Sequence, residues 1–253
     1  MSLHISAATD VGLRRDHNED TYVVWSPAEP AERERRGELM IVADGMGGSA
    51  AGEVASRTVV EIVLQDYRAS DGERGQVLKE ALERAHQTVH EMSRNQPELA
   101  GMGTTCTAIG VLGKQLWFAH VGDSRAYVLR EGRLKQLTAD HSLVAQLVEQ
   151  RIMTAEQARV DPRRNVLIRS MGVGEAVEVD HGSLEGGLRA GDTLLLCSDG
   201  LHGLATDEEI ARRMTAANLD HACAELIALA LERGGHDNIT VIVARPVTDS
   251  AAG

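Results

Sequence analysis

The chain has 253 residues and a formal net charge of −12 at pH 7. That length fits one large domain or two small ones with a substantial core, and the acidic balance argues against a nucleic-acid partner or an anionic lipid surface. Three cysteines, Cys106, Cys197 and Cys223, sit singly in apolar surroundings and read as buried free thiols. Their odd number suits a reducing compartment better than a disulfide framework. Residues 1–6 lack the basic and apolar regions of a secretory signal, and no apolar run approaches a membrane span. The expectation is a soluble, cytoplasmic protein.

In chain order, residues 3–10 and 21–25 read as strands, separated by the dense polar turn Gly12-Leu13-Arg14-Arg15-Asp16-His17-Asn18-Glu19-Asp20. Residues 27–37, with two prolines, read as a charged, solvated hairpin tip. An apolar strand at 38–43 feeds Asp44, and Gly45, Gly47 and Gly48 follow within four residues. Glycines there let the chain turn sharply and admit close approach to the backbone. A carboxylate at such a turn is placed to hold a hard cation, with the Gly45 carbonyl as a second oxygen; a solvated aspartate in an ordinary strand-to-helix turn is the alternative. Ser49 is the N-cap candidate of the next helix. Glu53 lies in its first turn, and Ala51, Ala55, Val59 and Ile62 form its apolar stripe. A second helix follows the 72–75 loop, with a stripe through Leu78, Leu82, Ala85, Val89 and Met92. His86 and His90 have the i, i+4 spacing of a metal pair, but no third ligand is nearby and they read as helix-surface histidines.

From 103 to 137 the pattern switches to strands, with Thr105, Thr107, Ile109 and Val111 alternating with small residues. Gly113-Lys114 and Glu131-Gly132 mark tight turns, and the region reads as an antiparallel meander with Gly122-Asp123-Ser124 at one turn. Residues 140–174 are a long polar excursion with helical pieces at 143–149 and 154–158, either substrate-facing or a plain surface insertion. Strands resume at 177–184 and 193–197. The second is apolar without alternation, as for a strand buried on both faces, and ends in Ser198-Asp199-Gly200. Thr206 and Glu209 have capping-box spacing, and Ala222, Leu226, Leu229 and Ala230 mark the last long helix. His236-Asp237-Asn238 introduces a final strand at 239–244, and residues past Pro246 read as a frayed tail. No linker splits this mixed α+β chain, so 1–246 is taken as one domain and 247–253 as a tail.

Asp44, Asp123, Asp199 and Asp237 thus border apolar strands, with Glu19 and Asp20 upstream. Gathered without partners they would repel, and burial would penalise each charge. Divalent cations remove that cost.

In this order the segments resemble, over nearly the whole chain, the metal-dependent serine/threonine protein phosphatases of the protein phosphatase 2C family in its compact bacterial form. The resemblance runs through Gly12 to Asp20, Asp44 to Gly48, Gly103-Thr104-Thr105, Val121 to Ala126, Leu137 to His141, Ser198 to Leu201 and Asp237 to Val241. It implies a four-layer α-β-β-α sandwich, two antiparallel sheets face to face with helices outside. It also implies two Mn²⁺ or Mg²⁺ ions. Asp44 would bridge them, the Gly45 carbonyl would bind one, and Asp199 and Asp237 would complete the shell of the other. Glu19 and Asp20 would act mainly through metal-bound waters, and Asp123 with Asp199 would hold a third, weaker ion. Arg15, rather than its neighbour Arg14, would grip the substrate phosphate. The implied reaction is in-line attack of a metal-bridging hydroxide on phosphoserine or phosphothreonine, without a phosphoenzyme. Oxygen-only ligands favour Mg²⁺ or Mn²⁺ over zinc, and no cysteine sits in a phosphate-cradling loop. Met46 and Ser49 stand where relatives carry histidines, which leaves protonation of the leaving group to a metal-bound water. His141, His202 and His236 lie near the motifs and are given no catalytic role. The implied partner is a phosphorylated protein, the product of an opposing serine/threonine kinase, and Arg159, Arg163 and Arg164 would guide it. A monomer is expected. A non-catalytic phosphoprotein-binding protein, the competing reading, would lack a metal ligand, and none is missing.

Overall fold

The structure, a computed structural model, describes residues 1–47 and 51–247. In chain order the elements are β1 (Ser2–Asp10), β2 (Asp20–Trp25), α1 (Pro30–Arg36), β3 (Glu38–Met46), α2 (Ala51–Ala69), α3 (Arg74–Asn95), β4 (Gly103–Thr104), β5 (Cys106–Leu112), β6 (Gln115–Val121), β7 (Arg125–Arg130) and β8 (Arg133–Gln136). Then come α4 (Leu143–Glu149), α5 (Ala155–Val160), β9 (Asp180–Ser183), β10 (Thr193–Cys197), α6 (Asp199–His202), α7 (Asp207–Arg213), α8 (Leu219–Glu232) and β11 (Ile239–Val247). One antiparallel sheet has the order β1-β11-β10-β7-β8; the other runs β2-β3-β5-β6-β9, with β4 added on β3.

Side-chain alternation explains why the sheets stack. In β3, Leu39, Ile41 and Ala43 face a core shared with α2 and α3, while Met40 and Val42 face the opposite sheet. In β10, Leu194 and Leu196 enter that inter-sheet layer, and Leu195 and Cys197 pack beneath α8. A strand apolar on both faces can lie only between two layers, and each such side chain contributes roughly 1.5–3 kcal/mol on burial. The result is the expected helix–sheet–sheet–helix order. Its three cores hold the stripes of both long N-terminal helices, and all three cysteines are buried free thiols.

Several expectations need correction. Residues 27–37 are not a hairpin tip. Pro30 opens α1, Arg33, Arg35 and Arg36 fill its last turn, and Gly37 caps it at φ +72°. This is the Pro-first, Gly-last pattern of a short helix, with basic residues where the dipole favours them. Strand β3 does not stop at residue 43, because β4 supplies partners for Gly45 and Met46; the chain first departs from it at Gly47. The 103–137 region is not one meander. β5 and β6 belong to one sheet and β7 and β8 to the other, so Gly122-Asp123-Ser124 is a crossover between layers. His86 and His90 are not surface residues. The Gly172 amide donates to His86 Nδ1 at 3.0 Å, and His90 Nδ1 lies 3.2 Å from the Gly172 carbonyl. The 177–184 strand shortens to β9, and β11 continues through Pro246 to Val247 because β1 pairs with it as far as Ser2. Ser49, the expected N-cap, its neighbour Gly48 and the tail at 248–253 lie outside the described residues.

Candidate metal centre

The strand ends gather at one rim of the sandwich. Asp44 stands directly opposite Asp20 across the β2–β3 ladder. Asp199 opens α6 just past β10, Asp237 precedes β11, and Asp123 occupies the crossover after β6. Together with Arg15, Glu19, Gly45, Met46, Gly47, Thr105, Asn165 and Leu167, the aspartates at 44, 123, 199 and 237 line a cavity of about 260 Å³. Among the described residues this lining carries five carboxylates and one guanidinium. Asp20 sits just behind it.

Main-chain bonds hold the carboxylates in place. The Asp44 amide donates to Thr105 Oγ1 at 2.9 Å, and its carbonyl accepts from the Thr105 amide at 2.9 Å and from Thr104 Oγ1 at 2.8 Å. Gly45 is a glycine by necessity, since a Cβ there would meet the Gly52 and Glu19 carbonyl oxygens at 2.3 and 2.6 Å. Asp20 Oδ2 accepts from Ser198 Oγ at 2.8 Å and Thr240 Oγ1 at 2.7 Å. Asn238, 3% exposed, ties the loop between β1 and β2 to the start of β11: Oδ1 accepts from the Glu19 amide at 2.8 Å, and Nδ2 donates to the carbonyls of Val11 at 3.0 Å and His17 at 2.9 Å. The sequence reading gave Asn238, Thr105, Ser198 and Thr240 no role. They lie within the segments that carry the resemblance, as polar residues at the ends of apolar strands.

Electrostatics at this rim are unfavourable. Burial, and then the charges of Asp20, Asp199, Asp123 and Asp237, hold the Asp44 carboxyl well above its ordinary range. Asp199 is raised in the same way, by burial first and then by Asp123. Asp20 is pushed up to about 6 and Asp123 to about 7, burial being the first cause in both. Burial also raises Glu19, against the pull of Arg15. Buried oxygens Glu19 Oε1, Asp20 Oδ1 and Asp199 Oδ1 have no hydrogen-bond partner. Such orphaned acceptors call for a cation, and an all-oxygen set suits Mg²⁺ or Mn²⁺. Among the described residues no three of these groups close into a ligand cage by themselves. The donor set fits the divalent ions that the resemblance implies.

Arg15 reaches this cavity; Arg14 is exposed and does not line it. The Arg15 guanidinium donates to Asp237 Oδ2 at 2.8 Å and lies 3.8 Å from Glu19 Oε2. Met46 lines the cavity with a thioether, which transfers no proton. Neither His141, His202 nor His236 does. His141 Nδ1 accepts the Gly122 amide at 3.0 Å, His202 Nε2 donates to the Asp123 carbonyl at 2.9 Å, and His236 is exposed. The 140–174 excursion reaches the site through Asn165 and Leu167. Of its arginines, Arg159 donates to the Ala205 carbonyl at 2.9 Å and Arg163 pairs with Asp161 at 3.0 Å, while Arg164 is exposed. Among the described residues no helix is long and apolar enough to cross a membrane.

Residues 17–228 match the family model for protein phosphatase 2C. The chain is 39% identical over 243 residues to the serine/threonine protein phosphatase PstP of Mycobacterium tuberculosis, covering 96% of this chain and 45% of that one, so it spans less than half of this relative's length. It is 36% identical over 247 residues to the serine/threonine phosphatase stp of Listeria monocytogenes, covering 95% of each. The solved catalytic domain of PstP in complex with two manganese ions matches at a TM-score of 0.82 and 36% identity, over 97% of this chain and 99% of that one. With its acidic rim, its two-sheet sandwich and these likenesses, the chain belongs to the protein phosphatase 2C family.

Proposed function

We propose that this chain is a Mg²⁺- or Mn²⁺-dependent protein serine/threonine phosphatase, with residues 1–246 as its catalytic unit and the 140–174 excursion as a flap over the site. The observation that carries the reading is the raised, orphaned carboxylate cluster at the strand ends. In this reading Asp44, the Gly45 carbonyl, Asp199 and Asp237 would hold two ions. Glu19 and Asp20 would act from behind through ordered waters, and Asp123 with Asp199 would hold a third, weaker ion. Bound there, the ions supply an acidified water for attack on phosphorus and neutralise the phosphate charge.

The chain's own groups supply position. Arg15, whose guanidinium rests on Asp237 at the cavity, would orient two phosphate oxygens with its fork. Ser198 and Thr240 keep Asp20 aimed by donating to one oxygen and leaving the other free. Thr104 and Thr105 fix the Asp44 backbone. With Met46 at the rim, no imidazole lines the cavity among the described residues, and solvent within the site would protonate the leaving alkoxide. The substrate is a phosphoserine or phosphothreonine protein made by an opposing kinase, and the enzyme works as a cytoplasmic monomer.

Release of inorganic phosphate from phosphoserine, phosphothreonine and phosphotyrosine peptides tests this. The expected result is turnover of the first two and its near abolition in Asp44→Asn. Wild-type-like turnover by that variant would rule the mechanism out. Tight peptide binding without turnover would identify a phosphoprotein-binding module instead.

A further inference from the structure

The β7–β10 ladder ends at the pair Cys197–Arg125. Extended by two residues in the same register, it would set Asp199 directly opposite Asp123. Like charges facing each other across a ladder destabilise it, and the pairing stops: β10 gives way to the single turn α6, and the other strand becomes the Gly122-Asp123-Ser124 crossover. The two carboxylates remain close enough that Asp123 is the charge Asp199 feels most. One bond closes the gap that the ladder leaves. His202, the last residue of α6, donates from Nε2 to the Asp123 main-chain carbonyl at 2.9 Å. A carbonyl only accepts, so that nitrogen carries the proton. The preceding peptide is held from the other side, where His141 gives its amide to the Gly122 carbonyl at 2.7 Å and takes the Gly122 amide on Nδ1 at 3.0 Å. Among the described residues, the His202 bond is the one hydrogen bond that connects Asp123 to the helix that carries Asp199.

We propose that His202 is a positioning residue for a cation held between Asp123 and Asp199: its bond to the Asp123 carbonyl sets the spacing of the two carboxylates before an ion arrives. This rests on the reading that these two aspartates share an ion. An ion bridging two mobile carboxylates must pay for ordering them. Fixing their backbones beforehand lowers that cost and raises affinity without adding a ligand.

The test is calorimetric titration of the metal-stripped full chain with Mn²⁺, as wild type, Asp123→Asn, His202→Met and His202→Gln. Methionine fills the volume without a donor; glutamine keeps an N–H at similar reach. The wild type is expected to show a tight class of sites and a weaker one, and Asp123→Asn to lose the weaker class. His202→Met should weaken that class about tenfold and leave the tight class within about twofold, while His202→Gln stays within about threefold of wild type. His202→Asn, polar but too short to reach the carbonyl, gives the same comparison if the methionine variant does not fold. A weaker class that needs Asp123 but is unchanged in His202→Met, or equally weakened in His202→Gln, overturns the proposal alone. A wild type with no weaker class, or one that survives Asp123→Asn, overturns the shared-ion reading and the proposal with it.

Discussion

Replacing Asp44 by asparagine is expected to stabilise the metal-free chain while it destroys turnover. Asp44 faces Asp20 across the ladder and is raised by the charges of Asp20, Asp199, Asp123 and Asp237. Facing side chains in such a ladder pair sit about 5 Å apart, and one unit charge at that distance costs about 3 kcal/mol at an effective dielectric of 20. Protons taken up by the raised carboxyls already relieve part of this near neutrality, so the expected gain is about 2 kcal/mol. Asparagine keeps the shape of the aspartate, and its Nδ2 donates, so it suits a site lined with carboxylate acceptors. Its main-chain bonds to Thr104 and Thr105 are untouched. For a chain of this size a gain of about 2 kcal/mol raises Tm by roughly 4–8 °C. The assay is thermal unfolding at pH 7.5 after chelation. Burial holds His120 at about 4 and His202 at about 3, so above the ordinary imidazole range both are neutral folded or unfolded and drop out of the comparison. Added Mn²⁺ should raise the wild-type Tm and move the variant far less. A metal-free variant no more stable than wild type would show that the carboxylates are not under repulsion, and the physical argument for cations here would fail.

Other outcomes follow from the same geometry. Arg15→Ala should raise KM for a phosphothreonine peptide about tenfold, with a smaller effect on kcat, since it removes a charge-assisted fork to phosphate; an unchanged KM contradicts the role. Mn²⁺ binding should release protons and tighten between pH 6 and 8, because Asp20 at about 6 and Asp123 at about 7 hold protons at the lower end that an ion must displace. Calorimetry in buffers of different ionisation enthalpy reads this directly, and a pH-independent affinity would refute it. Gly12→Ala should weaken Mn²⁺ binding and cost at least about 2 kcal/mol of stability. Gly12 lies at φ +78°, and a Cβ would sit 2.2 Å from the Asp237 carbonyl oxygen; a wild-type isotherm from a folded variant would contradict this.

Where a local pattern decides the structure, the sequence was a good guide. Strand 193–197 was bounded correctly because its apolar run is punctuated by Ser198-Asp199-Gly200, and the Thr206–Glu209 capping box forms with both of its bonds. The acidic residues that line the cavity were named through the resemblance; position at a strand end alone does not single them out, since Asp10, Asp180 and Asp192 sit at strand ends too and serve the Gly12 amide, Arg169 and Arg130. What the sequence concealed was non-local. Glu131-Gly132 is a hairpin turn while Gly122-Asp123 is a change of sheet, and only the pairing of β7 with β10 distinguishes them. His86 and His90 looked solvated because their partner, Gly172, lies 86 and 82 residues away. Asn238 looked like an ordinary strand-end polar residue because the carbonyls it gathers, at Val11 and His17, are more than 200 residues distant in the chain. The helix at α1 was legible in principle: its proline sits at the one helical position that tolerates it, a placement easily mistaken for a turn.

The central claim is that hydrolysis depends on hard divalent ions held by this carboxylate rim. Initial-rate hydrolysis of a phosphothreonine peptide by metal-stripped protein, with Mn²⁺, Mg²⁺ or Zn²⁺ added separately, tests it most directly. Activity restored by Mn²⁺ or Mg²⁺, and not by Zn²⁺, is the predicted result. Undiminished activity in the stripped protein, or none with any ion in a protein that still binds Mn²⁺, would contradict the account.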